Sequence, residues 1–207
     1  MEHKPVEVRT ADGSFGVLDA GAIQGDPADY SNGLIITMPT GARIHTGIDT
    51  GPVLVTATGS DRRPDSPADT DSWDEIIEAS VHAPRGILRV EALEKGPVPE
   101  LPVLSLAGPG WYRLLVQARG RDSAPDTVAY HPVEEYVITV WPEPPSPLHL
   151  LKTSDECGRS FRLAASRRHQ HPAAPAADTD TDTEEVDQQL AKRRARLQAM
   201  GASQSPE

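Results

Sequence analysis

Two strand-like runs between residues 110 and 141 constrain the fold of this chain more than any other feature. Apolar and polar residues alternate through residues 110–119, so that one face collects Tyr112, Leu114, Val116 and Ala118. After a polar loop, residues 136–141 form a second run that is rich in β-branched and aromatic side chains. Period-two alternation bounded by glycine and proline is typical of half-buried strands. We therefore predict that these runs are the central strands of an antiparallel β-sandwich.

The rest of the first 142 residues fits the same all-β fold. Shorter alternating or β-branched runs predict further strands at residues 6–10, 14–18, 33–38, 42–47, 52–58, 86–92 and 103–106. Twenty prolines and sixteen glycines interrupt the chain too often for long helices. Aromatic residues make up only 4% of the chain, so the core has to be largely aliphatic. We expect a β-sandwich domain over residues 1–142.

Residues 72–81 fit two patterns at once. Helical spacing groups Trp73 with two isoleucines on one face and leaves the acidic residues outside. Alternation from Ile77 onward instead predicts a strand. We favour one helical turn, with Asp71 or Ser72 as its N-cap, that leads into a strand.

The chain changes character after Pro142. A proline-rich run there cannot donate to a β-ladder, which predicts a stiff exit segment over residues 143–165. The scattered apolar residues of this segment leave open that it folds back onto the sandwich. Residues 166–207 are predicted to be a disordered acidic tail, because much of their sequence buries too little apolar surface to order itself. The tail is predicted to contain a short helix over residues 183–200, with acidic residues at its start and basic residues at its end.

The chain is strongly acidic, and its charge narrows the choice of partner. It has 31 Asp and Glu residues against 20 Lys and Arg residues, and a net charge of −11. A negative field of this kind repels nucleic acids and anionic membranes. The same field attracts basic surfaces. We therefore expect a basic protein partner, and neither a nucleic acid nor a membrane.

Three features of the sequence predict a cytoplasmic protein. The chain contains no apolar run near the ~18–20 residues that a membrane span needs. Its first residues lack the basic and apolar regions of a secretory signal. Cys157 is the only cysteine, which excludes an internal disulfide and fits a reducing compartment. We interpret Cys157 as an incidental thiol.

Motifs that would indicate catalysis are missing from the sequence. It contains no Gly-x-Ser-x-Gly elbow, glycine-rich phosphate loop, Cys-x-x-Cys or His-Glu-x-x-His. His169 and His171 have a spacing that can bind a metal weakly, but they lie in sequence that is predicted to be disordered. Residues 178–182 carry alternating aspartates without the glycine and glutamate of a calcium loop. We therefore predict a non-enzymatic protein with no cofactor and no metal site.

The leading candidate for a partner-binding site is an acidic stretch with one aromatic anchor. Its residues are Asp71, Trp73, Asp74, Glu75 and Glu78. Carboxylates around an aromatic residue suit a basic cleft, because the aromatic ring supplies contact area and the charges supply orientation. Two other interpretations stay open at this stage. The stretch can be an ordinary solvated face, or a pair of its carboxylates can serve acid–base hydrolysis.

A second candidate face lies on the strand predicted at residues 110–119. Trp111, Arg113, Gln117 and Arg119 fall opposite the apolar face and are expected to point outward. An exposed aromatic sheet face of this kind would bind a small ligand or a saccharide by stacking. Ligand binding through this face is the alternative to protein binding.

Two blocks of the sequence resemble a known family. The first block is residues 73–78 with the glycine at position 86 and the strand at residues 87–92, and the second is residues 110–114 with residues 135–138. Their order resembles the competence-associated ComJ (Nin) proteins, small β-rich inhibitors of a DNA-entry nuclease, over roughly residues 50–142. The resemblance implies that the basic partner is a nuclease. Carboxylates near Trp73 would then occupy the groove that takes DNA phosphates.

Overall fold

The computed structural model describes residues 4–21, 29, 31–64 and 69–170, and its elements are mainly strands. Its elements in chain order are β1 (Val6–Thr10), β2 (Ser14–Asp19), β3 (Ile35–Thr37), β4 (Ala42–His45), β5 (Gly51–Gly59), a 3₁₀ turn (Thr70–Ser72), β6 (Glu75–Ala83), β7 (Leu88–Ala92), β8 (Gly96–Pro97), β9 (Gly110–Arg119), β10 (Glu135–Pro142), β11 (His149–Thr153) and α1 (Glu156–Gln170). Apart from the last turn of α1, these elements belong to one compact unit, Met1–Arg167. Within the described ranges, the helices are too short or too polar to cross a membrane.

The strands form two sheets, and one of them is mixed. The six-stranded sheet has the order β1-β5-β10-β9-β6-β11, and the five-stranded sheet has the order β3-β4-β2-β7-β8. Strand β10 pairs with β5 in parallel, with Glu135 opposite Leu54, so the prediction of a purely antiparallel arrangement is wrong at this pair. Parallel neighbours need a long crossover connection. Four other strands separate β5 from β10 along the chain and supply that connection.

The two strands predicted to be central do lie in the middle of the six-stranded sheet. They are β9 and β10, and they pair antiparallel with Val116 opposite Ile138. All four apolar residues predicted for one face of β9 are buried, and they join a core cluster that includes side chains from both sheets. Residues 103–106 are not a strand, although they were expected to form one; Leu104 is still buried in the core. Alternation located both strands from their apolar faces. Burial alternates on most of β10, but on β9 both faces are buried from Tyr112 to Ala118.

The chain does not leave the domain after Pro142. Strand β11 pairs antiparallel with β6, and α1 follows it. The proline-rich run is held by its carbonyl groups: the guanidinium of Arg113 donates to the carbonyl oxygens of Ser146 at 2.9 Å and Pro147 at 3.1 Å. Proline lacks the N–H that a ladder needs but keeps its carbonyl acceptor. A buried arginine therefore fixes the segment that composition alone suggested would be an exit.

Helix α1 continues through residues 166–170, which were predicted to begin the disordered tail. The remainder of that tail, including the helix predicted at residues 183–200, lies outside the described residues.

A helical turn does precede a strand near Trp73, but it lies earlier than predicted, and the strand already begins at Glu75. A 3₁₀ turn, Thr70–Ser72, precedes β6. The predicted cap is wrong, because Asp69 takes the N-cap position in the left-handed conformation, with a φ of 49°, and makes no side-chain cap bond. The carboxylate of Asp74 instead accepts the backbone N–H of Gly120 at 3.0 Å.

Helix α1 approaches the body of the protein so closely that a glycine is required at the contact. A Cβ added to Gly33 would lie 2.4 Å from the carbonyl oxygen of Gly158 in α1. Gly33 and Gly96 both have positive φ angles, 84° and 81°, but a Cβ added to Gly96 would meet nothing within 4 Å. Substituting alanine at each of these two glycines therefore separates the cost of backbone strain from the cost of steric contact with α1.

We predict that Gly96→Ala lowers the free energy of unfolding by about 1–2 kcal/mol, the strain of a left-handed alanine. Gly33→Ala should cost about 1–3 kcal/mol more, because the methyl group also displaces α1. Urea denaturation of the two variants measures this difference. Equal losses would contradict the close packing of α1 at Gly33.

Candidate functional site

The acidic stretch around Trp73 does not form an exposed patch, contrary to the sequence-based expectation. Glu75 and Glu78 are 0% and 1% exposed, and Trp73 is 8% exposed. On one face of β6, Ile77, Ala79 and Val81 belong to the main core cluster. On the other face, Ile76 belongs to a second buried cluster with Leu115 and Trp141, so both faces of β6 are covered. Of the five predicted residues, only Asp71 is exposed, and Asp74 is half-buried.

Each buried carboxylate of β6 has an internal arginine partner. Glu78 lies 2.7 Å from the guanidinium of Arg113 and 2.6 Å from that of Arg63. Glu75 lies 2.9 Å from the guanidinium of Arg162 in α1. Breaking a buried ion pair leaves an uncompensated charge, which is strongly destabilising. These carboxylates therefore hold the fold together and are not available to a partner.

The alternative ligand face is covered as well. Arg113 and Gln117 are buried, and the proline-rich run contacts Arg113 through the carbonyl oxygens of Ser146 and Pro147. Trp111 is 44% exposed and stacks on His82, with ring centroids 4.7 Å apart. Arg119 lies over the ring of Trp73 at 4.9 Å. The face expected to be continuous is thus reduced to one exposed aromatic residue and a separate arginine.

A cavity of about 570 Å³ lies where three loops meet the start of α1. Five carboxylates line it, and we call them the acid rim: Asp12, Asp49, Asp122, Asp126 and Glu156. Its inner wall includes His45, Thr46, Ile48, Cys157 and Phe161. The carboxylates are exposed or half-buried, whereas Thr46 and Ile48 are buried. The cavity therefore has charged edges and a less polar interior.

The loop that forms the inner wall is held by a buried glutamate. Glu134 accepts the backbone N–H groups of Gly47 at 3.1 Å and Ile48 at 2.6 Å. The hydroxyl of Tyr136 donates to the same carboxylate. Burial raises the pKa of Glu134, while these hydrogen bonds oppose the increase. Gly47 has no alternative here, since an added Cβ would lie 1.8 Å from the carbonyl oxygen of Arg121.

The opposite wall is the first turn of α1, and two aspartates fix its position. Asp155 is buried and pairs with the buried guanidinium of Arg121 at 2.9 Å. Asp122 accepts the backbone N–H groups of Glu156 and Cys157, both at 2.9 Å. Carboxylates at these positions satisfy N–H groups that a helix start leaves without partners. The cavity is therefore built from the same contacts that attach the helix.

An aromatic pair crosses the cavity wall between the 45–49 loop and α1. The rings of His45 and Phe161 are stacked, with centroids 4.0 Å apart and an interplanar angle of 21°. The pKa of His45 is lowered to about 4, chiefly by burial and also by the positive charges of Arg121 and Arg43. A hydrogen bond to the carbonyl of Gly13 opposes this shift. His45 is therefore neutral at pH 7, and its ring adds no positive charge to the cavity.

The charges around the cavity are predominantly negative. No lysine or arginine is among the described residues that line it. Arg121 lies behind the wall with its charge paired to Asp155, and Glu156 is paired with Arg159 on the surface. Asp122 is bonded to the start of α1. The other three acid-rim carboxylates have no bond to an arginine or to α1 among the described contacts; they are Asp12, Asp49 and Asp126. Their negative charges are therefore not paired with an arginine in the described contacts.

Cys157 lines the cavity but is not chemically activated. Its sulfur lies 3.9 Å from the carbonyl oxygen of Thr46. Burial raises the pKa of this thiol, although Arg121 opposes the shift. A nucleophilic cysteine requires the reverse, a lowered pKa.

No sequence pattern pointed to this cavity, because its walls come from distant parts of the chain. The lining residues lie near positions 12, 45–49, 122–126 and 156–161. The only local signal was the recurrence of Asp with Gly or Pro, which indicates turns but not that the turns converge. Searches of protein-family models, curated proteins and solved structures found no match. The resemblance to the ComJ family stays a prediction.

We predict that His45 makes the protein less stable in acid. The unfolded chain takes up a proton on this residue as the pH falls from 6.5, whereas folded His45 takes it up only near pH 4. The free energy of unfolding therefore falls as the pH decreases from about 6.5 to about 4. Relative to His45→Gln, the wild type should lose about 2–3 kcal/mol of unfolding free energy between pH 7 and pH 4.

Denaturation of both proteins across this range measures the difference, and an NMR titration of the His45 ring gives its pKa directly. Comparing the two proteins removes the opposite contributions of buried glutamates, whose pKa values are raised. A constant difference in stability, or a ring that titrates near pH 6.5, would contradict the burial of His45.

Proposed function

We propose that this protein is a non-enzymatic binding module for a basic protein partner, and that the acid rim is the centre of its binding surface. The observation that carries this proposal is the convergence of Asp12, Asp49 and Asp126 at one cavity without a lysine or arginine among its described lining residues. Complementary charge guides two proteins into the correct encounter and raises the association rate. The net charge of −11 adds a long-range attraction between the protein and a basic partner.

The binding surface in this proposal differs from the one expected around Trp73. Glu75 and Glu78 are neutralised by Arg162 and Arg113, so their charges contribute little outside the fold. Four of the five acid-rim residues, in contrast, lie on loops at the surface, and Glu156 lies at the start of α1. Binding residues are often found on loops that a rigid scaffold positions.

The proposal includes a nuclease as the partner, as the resemblance to the ComJ family implies. A nuclease carries a basic surface for DNA phosphates, and a protein that presents carboxylates there would exclude the substrate. The pKa values at the cavity support binding over catalysis. The raised pKa of Cys157 disfavours the thiolate nucleophile, and a pKa of about 4 makes the His45 ring a weak base.

We propose that the two sheets pack face to face as a β-sandwich, since one buried cluster includes strands of both. We also place the protein in the cytoplasm, where the single thiol of Cys157 would remain reduced.

The proposal predicts that removing charge from the acid rim slows partner association. The test variant is Asp12→Asn/Asp49→Asn/Asp126→Asn; asparagine tolerates the positive φ of Asp12 and Asp126, 50° and 56°. With a purified basic protein captured from the native cell, association at about 50 mM salt should slow roughly tenfold, and the effect should shrink at high salt. Stopped-flow or surface plasmon measurements give these rates, and cleavage of DNA by the captured protein tests inhibition.

The matched control is Asp61→Asn/Glu94→Gln/Glu100→Gln. These exposed residues lie outside the cavity, and their substitution removes the same amount of charge. Little change is expected for this control. Equal slowing of both variants would mean that net charge alone matters and would reject the cavity as the binding surface. A captured partner that is neutral or acidic would reject the whole proposal.

A further inference from the structure

The size of the cavity indicates more than a contact between single charges. Its volume of about 570 Å³ lies within the ~300–1,000 Å³ typical of sites that enclose a small ligand. One side chain would leave much of this space empty. The occupant therefore has the size of a short peptide segment or a small organic molecule.

The wall of the cavity suits a flat cation. The stacked rings of His45 and Phe161 give it an aromatic surface, and His45 is neutral at pH 7. Guanidinium groups stack on aromatic rings and also form paired hydrogen bonds with carboxylates. An ammonium group makes neither contact as well, because its charge is compact and strongly hydrated.

The acid rim is arranged for an organic cation and not for a metal ion. Among the described residues, no three His, Cys, Asp or Glu side chains converge closely enough to hold a metal. Asp126 and Asp49 lie on two loops that contact each other at the cavity. The backbone N–H of Asp49 donates to the carbonyl oxygen of Thr127, the residue after Asp126, at 2.9 Å. Carboxylates on neighbouring loops can bind the edge of a group that rests on the aromatic wall.

We propose that the cavity receives an arginine-containing segment of the protein partner, with the guanidinium stacked on the Phe161–His45 pair and bonded to carboxylates of the acid rim. The inference rests on the proposed function and names the chemical group that the partner inserts. The negative charge of the acid rim favours a cation as the occupant. The aromatic wall favours a guanidinium over an ammonium group, and the volume of the cavity favours a peptide segment over a single side chain.

The inference is tested by calorimetry and NMR with the full chain and four probes. These are capped Gly-Arg-Gly, the same peptide with citrulline, the same peptide with lysine, and agmatine. Citrulline keeps the shape of arginine and removes the charge. The arginine peptide should bind at least about tenfold more tightly than the citrulline peptide, a difference of about 1.4 kcal/mol, and more tightly than the lysine peptide and agmatine. Its amide shifts should centre on residues 45–49 and 122–126.

Two variants locate the binding site. Asp126→Asn should weaken the arginine peptide about tenfold, and Phe161→Leu should weaken it several-fold while keeping an apolar wall. Glu100→Gln lies outside the cavity and should leave binding unchanged. Thermal unfolding of each variant verifies that it is folded.

Several results would overturn the inference. Equal binding of the arginine and citrulline peptides would remove the role of charge, and shifts centred on Trp111 would place the site elsewhere. Binding of agmatine as tight as that of the peptide would make the cavity a small-molecule site. Any of these results, with partner binding still sensitive to the acid rim, rejects the arginine segment but keeps the proposed function. Partner binding that is insensitive to the acid rim rejects the proposed function itself.

Discussion

The buried ion pair between Arg121 and Asp155 is the contact on which the rest of the site depends. Arg121 follows β9 of the six-stranded sheet, and Asp155 directly precedes α1. The same guanidinium donates to the carbonyl oxygen of Gly33, just before β3 of the other sheet, at 3.0 Å. One side chain therefore joins both sheets to the helix. Because α1 forms one wall of the cavity, the position of that wall is set by this pair.

Charged groups in the interior are costly, and here they are compensated through several hydrogen bonds each. The Arg121 fork contacts both oxygens of Asp155, and Asp155 also accepts the N–H of Gly158 at 2.7 Å. Such geometry is needed if the attraction is to offset desolvation. The pairs Glu75–Arg162 and Glu78–Arg113 follow the same rule on β6. The fold thus uses charge internally to attach its last segments, and the remaining carboxylates shape the outer surface.

The strands were predictable because apolar residues alternate along them, as on β5, where burial follows the same period and Val53 and Val55 both enter the core. The charged residues of β6 were not. Helical spacing and charge together suggested a solvated Glu75 and Glu78, since an acidic residue is almost never fully buried unless it is paired. Their partners, Arg162 and Arg113, lie 87 and 35 residues away. Local sequence patterns cannot predict ion pairs between residues so far apart. For the same reason they cannot predict which loops come together after folding.

A double-mutant cycle on Arg121 and Asp155 tests the central claim most directly. The variants Arg121→Met, Asp155→Leu and the double substitution are compared by urea denaturation, with hydrogen exchange of α1 followed in parallel. Each single substitution should leave one buried charge without its partner. The double variant should therefore lose less unfolding free energy than the sum of the two single losses, by about 2 kcal/mol or more. The amides of α1 should lose protection in both single variants. Additive losses, with α1 still protected, would show that the pair does not anchor the helix.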